Sequence, residues 1–160
     1  MGFTQVFDYI AGKVDWFSNG LPREGKRADS PQIGDLIRRD VPVCHLDDHI
    51  GEVWQRMQMA GWGQCVVVNG AGIVLGLLRG EALHADPEAP VALAMESGPT
   101  TIRPNRAPRG IRESMRQHGV ASMVVTTPTG QLMGIVGAAG YRTLPCTCRA
   151  TPSRQISPEA

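Results

Sequence analysis

The sequence carries almost no net charge: 16 basic and 15 acidic residues leave a formal +1 over 160 positions. That is too little to build the field that concentrates nucleic acid or anionic lipid around a protein, so no nucleic acid partner is expected. Long apolar runs are missing as well. No stretch reaches the ~20 residues that span a bilayer, and the opening Met-Gly-Phe-Thr-Gln-Val-Phe-Asp lacks a basic region followed by an apolar one. A cytoplasmic protein without membrane association is expected. Cysteine is sparse: Cys44, Cys65, Cys146 and Cys148 stand at unrelated spacings, which indicates neither a disulfide framework nor a zinc site. Cys44, His45 and His49 are close in sequence but straddle a strand-to-helix junction, and no metal is expected there. Cys148 and Arg154 have the spacing of an anion-cradling loop, yet Thr151-Pro152 sits where such a loop needs glycine.

What the chain does hold is a copy of itself. From Gln64 a β-branched run (Val66, Val67, Val68) meets an Asn69-Gly70-Ala71-Gly72 turn, and a second apolar run, Ile73 to Leu78, leads to a helix start at Gly80-Glu81. Shifted by 58 residues the plan returns over Ser122 to Tyr141, with Val124-Val125, a turn ending at Gly130, and Gln131 to Val136. Gly61, Gly72 and Gly76 fall on Gly119, Gly130 and Gly134. A helix stop, a hairpin turn and a close backbone approach are the roles that glycine serves best at these places.

In front of each hairpin the pattern predicts a short helix, an extended segment and a longer helix. In the first copy Ile33, Leu36 and Ile37 form the short helical face, and Asp40 to Cys44 is extended because Pro42 pushes its neighbour out of the α region. Ile50, Val53, Trp54, Met57 and Ala60 then recur at helix spacing behind an Asp47-Asp48 cap. Glu81 to Ala85 begin a closing helix limited by Pro87. Each copy thus reads strand, helix, strand, strand, helix, an α+β plan. The chain divides into a helical segment (1–25), a polar linker (26–32), a first repeat (33–86), a second repeat with its leading linker (87–141) and a proline-rich tail (142–160) that is too polar to fold.

This element order resembles the CBS domain (cystathionine-β-synthase type). The resemblance rests on Ile33-Gly34-Asp35-Leu36-Ile37 upstream, and on Val66 to Val68 followed by Gly72-Ile73-Val74-Leu75-Gly76-Leu77-Leu78 downstream. Two in tandem resemble a Bateman module over about residues 33–141. The resemblance implies repeats paired about a pseudo-twofold axis, no catalysis, clefts that commonly hold adenosyl compounds (AMP, ADP, ATP or S-adenosylmethionine), and assembly into homodimers. By the same resemblance the cleft positions are Val43, Cys44, Gln64, Cys65 and Arg79 in one repeat and Thr101, Ile102, Ser122, Met123 and Gly137 in the other. Nucleotide-binding members carry Ser or Thr, two residues, then Asp after the second hairpin strand. Here those positions are Arg79 and Ala82, and Gly137 and Gly140.

The first 25 residues place Val6, Tyr9, Ile10, Val14, Trp16 and Phe17 on an amphipathic helix that stops at Asn19-Gly20 and is sealed by Pro22. Tyr9 to Trp16, followed by Gly20-Leu21-Pro22 and Glu24-Gly25, resembles the last helix and tail of a rhodanese sulfurtransferase domain. That family's catalytic cysteine lies upstream of this tail, so no sulfur transfer is expected of this chain. Arg79 beside a helix start has the chemistry to hold a phosphate or another anion, or to serve as a surface residue. Arg109, Arg112 and Arg116 share a helical face suited to an acidic partner, to the phosphates of a nucleotide shared between the repeats, or to solvent. Three functions stay open: a regulatory module for an adenosyl nucleotide or small anion, a ligand-free homodimerisation scaffold, and an accessory fragment of a rhodanese-type sulfurtransferase.

Overall fold

A computed structural model describes residue 4 and residues 7–26 and 28–137. The predicted tail, Cys146, Cys148, Gly140 and the closing helix of the second repeat lie outside the described residues, as do Val6 and the side chain of Arg112.

The first repeat begins with one turn of 3-10 helix at Ile33–Asp35, then β1 (Val43–Cys44), α2 (Ile50–Ala60), β2 (Gln64–Val68) and β3 (Val74–Arg79). A helix α1 (Gly12–Ser18) precedes them. The second repeat follows with α3 (Val91–Ala94), β4 (Glu96–Ser97), β5 (Thr101–Ile102), α4 (Ile111–Gln117), β6 (Ser122–Thr126) and β7 (Leu132–Gly137). One sheet has the order β1-β2-β3-β4 and the other β5-β6-β7. In each, a short parallel strand flanks an antiparallel hairpin. The expected glycine roles hold in both copies. Gly61 and Gly119 end their helices at φ +69° and +64°, and Gly72 and Gly130 turn their hairpins at +75° and +87°.

Each repeat keeps its helix on one sheet face. Cys44, Ile50, Val53, Met57, Cys65, Val67 and Leu78 bury together in the first, and Ile111, Met115, Met123, Val125, Met133 and Val136 in the second. The other faces meet in a shared core of Val41, Val66, Val68, Leu77, Val124 and Ile135. Of these, Val66 and Val124, and Leu77 and Ile135, are 58 residues apart. The pseudo-twofold axis is explicit in the backbone: Val74 N–H donates to Gly130 O and Leu132 N–H to Gly72 O, both at 3.0 Å.

The leading segments cross over. Ile33 packs with Ile111 and Met115 of the second repeat, and Val91 with Ile50 and Val53 of the first. Arg38 exchanges two backbone hydrogen bonds with Ile135, at 2.8 and 2.9 Å, while β4 pairs with β3 through Gly76↔Ser97 and Leu77↔Glu96. These close pairings explain Gly76 and Gly134. A Cβ at either would lie 2.8 Å from Glu96 O or 2.3 Å from Arg38 O.

Four local expectations are corrected. The closing helix of the first repeat is a 3-10 turn, Gly80–His84, because positive φ at Gly80 and the coming Pro87 leave room for little more than one turn. Asp48 does not cap α2, whose N-cap is His49. Instead its carboxylate accepts from His45 N–H at 3.2 Å and from Arg56 at 2.7 Å. Burial pushes that carboxyl up, but the two donors outweigh burial and hold it below the usual carboxylate range. Arg109 precedes α4 rather than sharing its face. Helix α1 begins only at Gly12 (φ +78°), so Tyr9 and Ile10 lie ahead of it. It buries no residue. Phe7 and Ile10 are 86% and 95% exposed, and the segment meets the first repeat through an Arg23–Asp35 ion pair at 3.3 Å.

Candidate functional site

The ten positions marked by sequence gather at the same end of the two sheets. Gln64 pairs with Arg79 and Val43 with Val66 in one; Ser122 pairs with Gly137 and Thr101 with Val124 in the other. Strand alternation sorts them by face. Val66, Leu77 and Val124 belong to the shared core, so Val43, Gln64, Arg79, Thr101 and Ser122 point between the sheets. Cys44, Cys65 and Met123 instead point into the cores of their own repeats, with Ile102 packed against the second. Cys44, Cys65 and Met123 are buried there and Ile102 is half-buried. Both cysteines are fully buried, and Cys65 Sγ donates to Pro42 O at 3.3 Å. Cys44 beside it and burial together push the Cys65 thiol well up, which keeps it protonated and unreactive.

The two groups of strand ends touch at the axis. Gln64 Nε2 donates to Ser122 Oγ at 2.9 Å, and Ser122 Oγ lies 3.1 Å from Gln64 Oε1. These two residues are equivalents under the 58-residue shift. On the first-repeat side, Arg79 is not free. Its Nε and one terminal nitrogen reach Glu96 Oε2 at 2.9 and 2.7 Å, with 31% and 55% of the two side chains exposed. Gly137, the counterpart of Arg79, offers backbone alone.

Sequence reasoning missed Glu96 and Arg38. The counterpart of Glu96 is Arg38, whose guanidinium stacks 4.2 Å from the centre of the Trp62 ring and hydrogen-bonds Asp40. That bond raises the arginine further and holds the Asp40 carboxyl below its usual range, although both groups face solvent. The 58-residue shift sets Glu96 on Arg38, a sign reversal at equivalent places that was available as a signal. Arg103, just after β5, is used internally. It donates to Thr126 Oγ1 at 2.7 Å and to Thr127 O, which satisfies the buried Thr126 hydroxyl that stands where the first repeat has Val68.

Two sheets joined about an internal twofold, with exchanged leaders and polar strand ends at the axis, can be compared with known proteins. Residues 33–83 match the CBS domain family. No curated protein sequence is similar enough to count as a relative. Among solved structures, the cytosolic domain of the Mg2+ channel MgtE in complex with ATP superposes with a TM-score of 0.63 at 22% identity. The match covers 68% of this chain and 46% of that one, so the chain spans less than half of that domain. The CBS domain pair of protein MJ0100, solved with 5′-methylthioadenosine and S-adenosyl-L-methionine, gives 0.62 at 13% identity over 69% of this chain and 91% of its own. CBSX2 in complex with AMP gives 0.62 at 13% identity over 69% and 92%. The fold is that of a tandem CBS pair, α+β, with its repeats related by the pseudo-twofold axis. Among the described residues no helix is long and apolar enough to cross a membrane.

Proposed function

We propose that this chain is a non-catalytic regulatory CBS pair of the cytoplasm that works as a homodimer. It binds an adenosyl nucleotide or a related small anion at the strand ends beside the Gln64–Ser122 contact. The supporting observation is that contact itself: it brings the polar strand ends of both sheets to one place, on a fold whose solved neighbours were determined with ATP, with AMP, and with S-adenosylmethionine and methylthioadenosine. The repeat boundaries at 33–86 and 87–141 belong to the same reading, each leader serving the other repeat. So does a rhodanese-like ancestry for residues 1–25, which brings no sulfurtransferase activity with it.

The ligand-free scaffold is favoured by one specific observation, the engagement of Arg79 with Glu96, at a position where the family resemblance implies a Ser or Thr in nucleotide-binding members. Thermal unfolding with AMP, ADP, ATP and S-adenosylmethionine separates the two. At a hundredfold excess over its dissociation constant, a ligand selective for the native state adds ~2.7 kcal/mol. For a chain of this length that raises the midpoint by roughly 5–10 °C. Such a rise is expected with at least one of the four compounds; no shift with any of them, in a stable dimer, favours the scaffold or a ligand that is not a nucleotide.

A further inference from the structure

The ladder sets Arg79 and Glu96 on the same side of their sheet. Glu96 stands opposite Leu77, with Arg79 two residues farther along β3, and Leu77 belongs to the core between the sheets. Arg79 is also the registered partner of Gln64, so the pair adjoins the Gln64–Ser122 contact at the axis. Strand β4 lies close on β3 and fixes Glu96 there: a Cβ at Gly76 would lie 2.8 Å from Glu96 O. Under the 58-residue shift Arg79 falls on Gly137 and Glu96 on Arg38, whose guanidinium is held by Asp40 and stacked on Trp62. The second sheet therefore has no such pair at the equivalent place.

Only half of the pair's bonding capacity is used. Arg79 directs Nε and one terminal nitrogen to a single oxygen of Glu96, at 2.9 and 2.7 Å. The other carboxylate oxygen and the other terminal nitrogen make no hydrogen bond among the described residues, and 55% of the Glu96 side chain is exposed. An open carboxylate oxygen accepts from an ammonium group, and the open end of a guanidinium fork donates to a carboxylate. Together they offer one charge of each sign, the complement of the ammonium and carboxylate of an α-amino acid. A polyphosphate meets the opposite situation. Arg79 is already neutralised by Glu96, and Glu81, two residues on, is exposed and in no ion pair among the described residues. One guanidinium thus stands against two carboxylates. An incoming anion must take Arg79 from Glu96 and then lies beside both of them, a juxtaposition of like charges that weakens binding.

We propose that the Arg79–Glu96 pair selects, among adenosyl compounds, those that carry an α-amino-acid group, discriminates against polyphosphates, and does so at one site per chain. This rests on the adenosyl part of the proposed function and names the class of ligand.

The test is isothermal titration of the full chain with ATP, S-adenosylmethionine, S-adenosylhomocysteine and 5′-methylthioadenosine, the last lacking the amino-acid group. Both amino-acid compounds are expected to bind at least about tenfold more tightly than methylthioadenosine or ATP, the scale of a charge-assisted hydrogen bond, with one molecule per chain. These comparisons need no variant to fold. Glu96→Gln keeps the shape of the side chain, removes the partner of the ammonium and frees Arg79. It is expected to abolish most of the preference for S-adenosylhomocysteine over methylthioadenosine and to tighten ATP about tenfold. Tighter binding of ATP than of S-adenosylhomocysteine to the unmodified chain, equal affinity for S-adenosylhomocysteine and methylthioadenosine, or a preference that survives Glu96→Gln overturns selection by this pair while leaving adenosyl binding in place. A chain that binds none of the four overturns both.

Discussion

Gly134 has no room for a side chain. A Cβ there would sit 2.3 Å from Arg38 O, with φ at +148°, so Gly134→Ala must either push the Arg38 segment off β7 or distort β7 itself. Neither backbone can yield as a flexible side chain would. A loss of roughly 3 kcal/mol or more is expected in urea unfolding, at the upper end for single substitutions. Gly119→Ala is the fitting comparison, since φ there is +64° and nothing lies within 4 Å of the added carbon. Only the left-handed strain applies, about 1–2 kcal/mol. Equal losses at the two positions would mean that the Arg38 segment is loosely held. That Gly134 and Gly76 sit at close approaches was legible in the sequence, because both interrupt β-branched or apolar runs at the same point of the repeat. The atom each approaches was not legible, since it lies in a leader whose docking partner no local pattern records.

At the scale of elements, strands and long helices followed from residue type: β-branched runs gave β2 and β6, the apolar runs after each turn gave β3 and β7, and the 3.6-residue recurrence from Ile50 gave α2. The exchange of leaders did not follow. Ile33 and Val91 meet cores lined by near-identical residues, Val53 and Met57 against Ile111 and Met115, so hydrophobic complementarity does not choose between them. Backbone pairing does. In the candidate site the same gap explains why Arg79 read as a free cation: Glu96 is 17 residues away and reaches it only because β4 docks on β3. Val91→Ala tests the exchange directly. Removing two buried methyl carbons is expected to cost ~2 kcal/mol, and amide exchange should quicken first in α2 and β3. Quickening confined to α4 and β7 would mean that each leader serves its own repeat.

For the whole molecule the decisive surface is the shared core. Val66, Leu77, Val124 and Ile135 are each buried to 4% exposure or less, and all four depend on the opposite sheet for cover. Neither half keeps a closed core alone, and each also lends its leader to the other. Burial that is wholly reciprocal predicts one cooperative transition. The calorimetric and van't Hoff enthalpies should agree, and far-UV circular dichroism and tryptophan fluorescence should report the same midpoint. Two resolved steps would show that the halves fold independently and that the contact at the axis is only docking. A fragment ending at residue 90 sharpens the point, since it keeps α2 and the first hairpin but loses Val91, β4 and the second sheet. Without them Leu77 and Val66 face water, β3 has an unpaired edge, and the fragment is expected to stay unfolded until the remainder of the chain is supplied in trans.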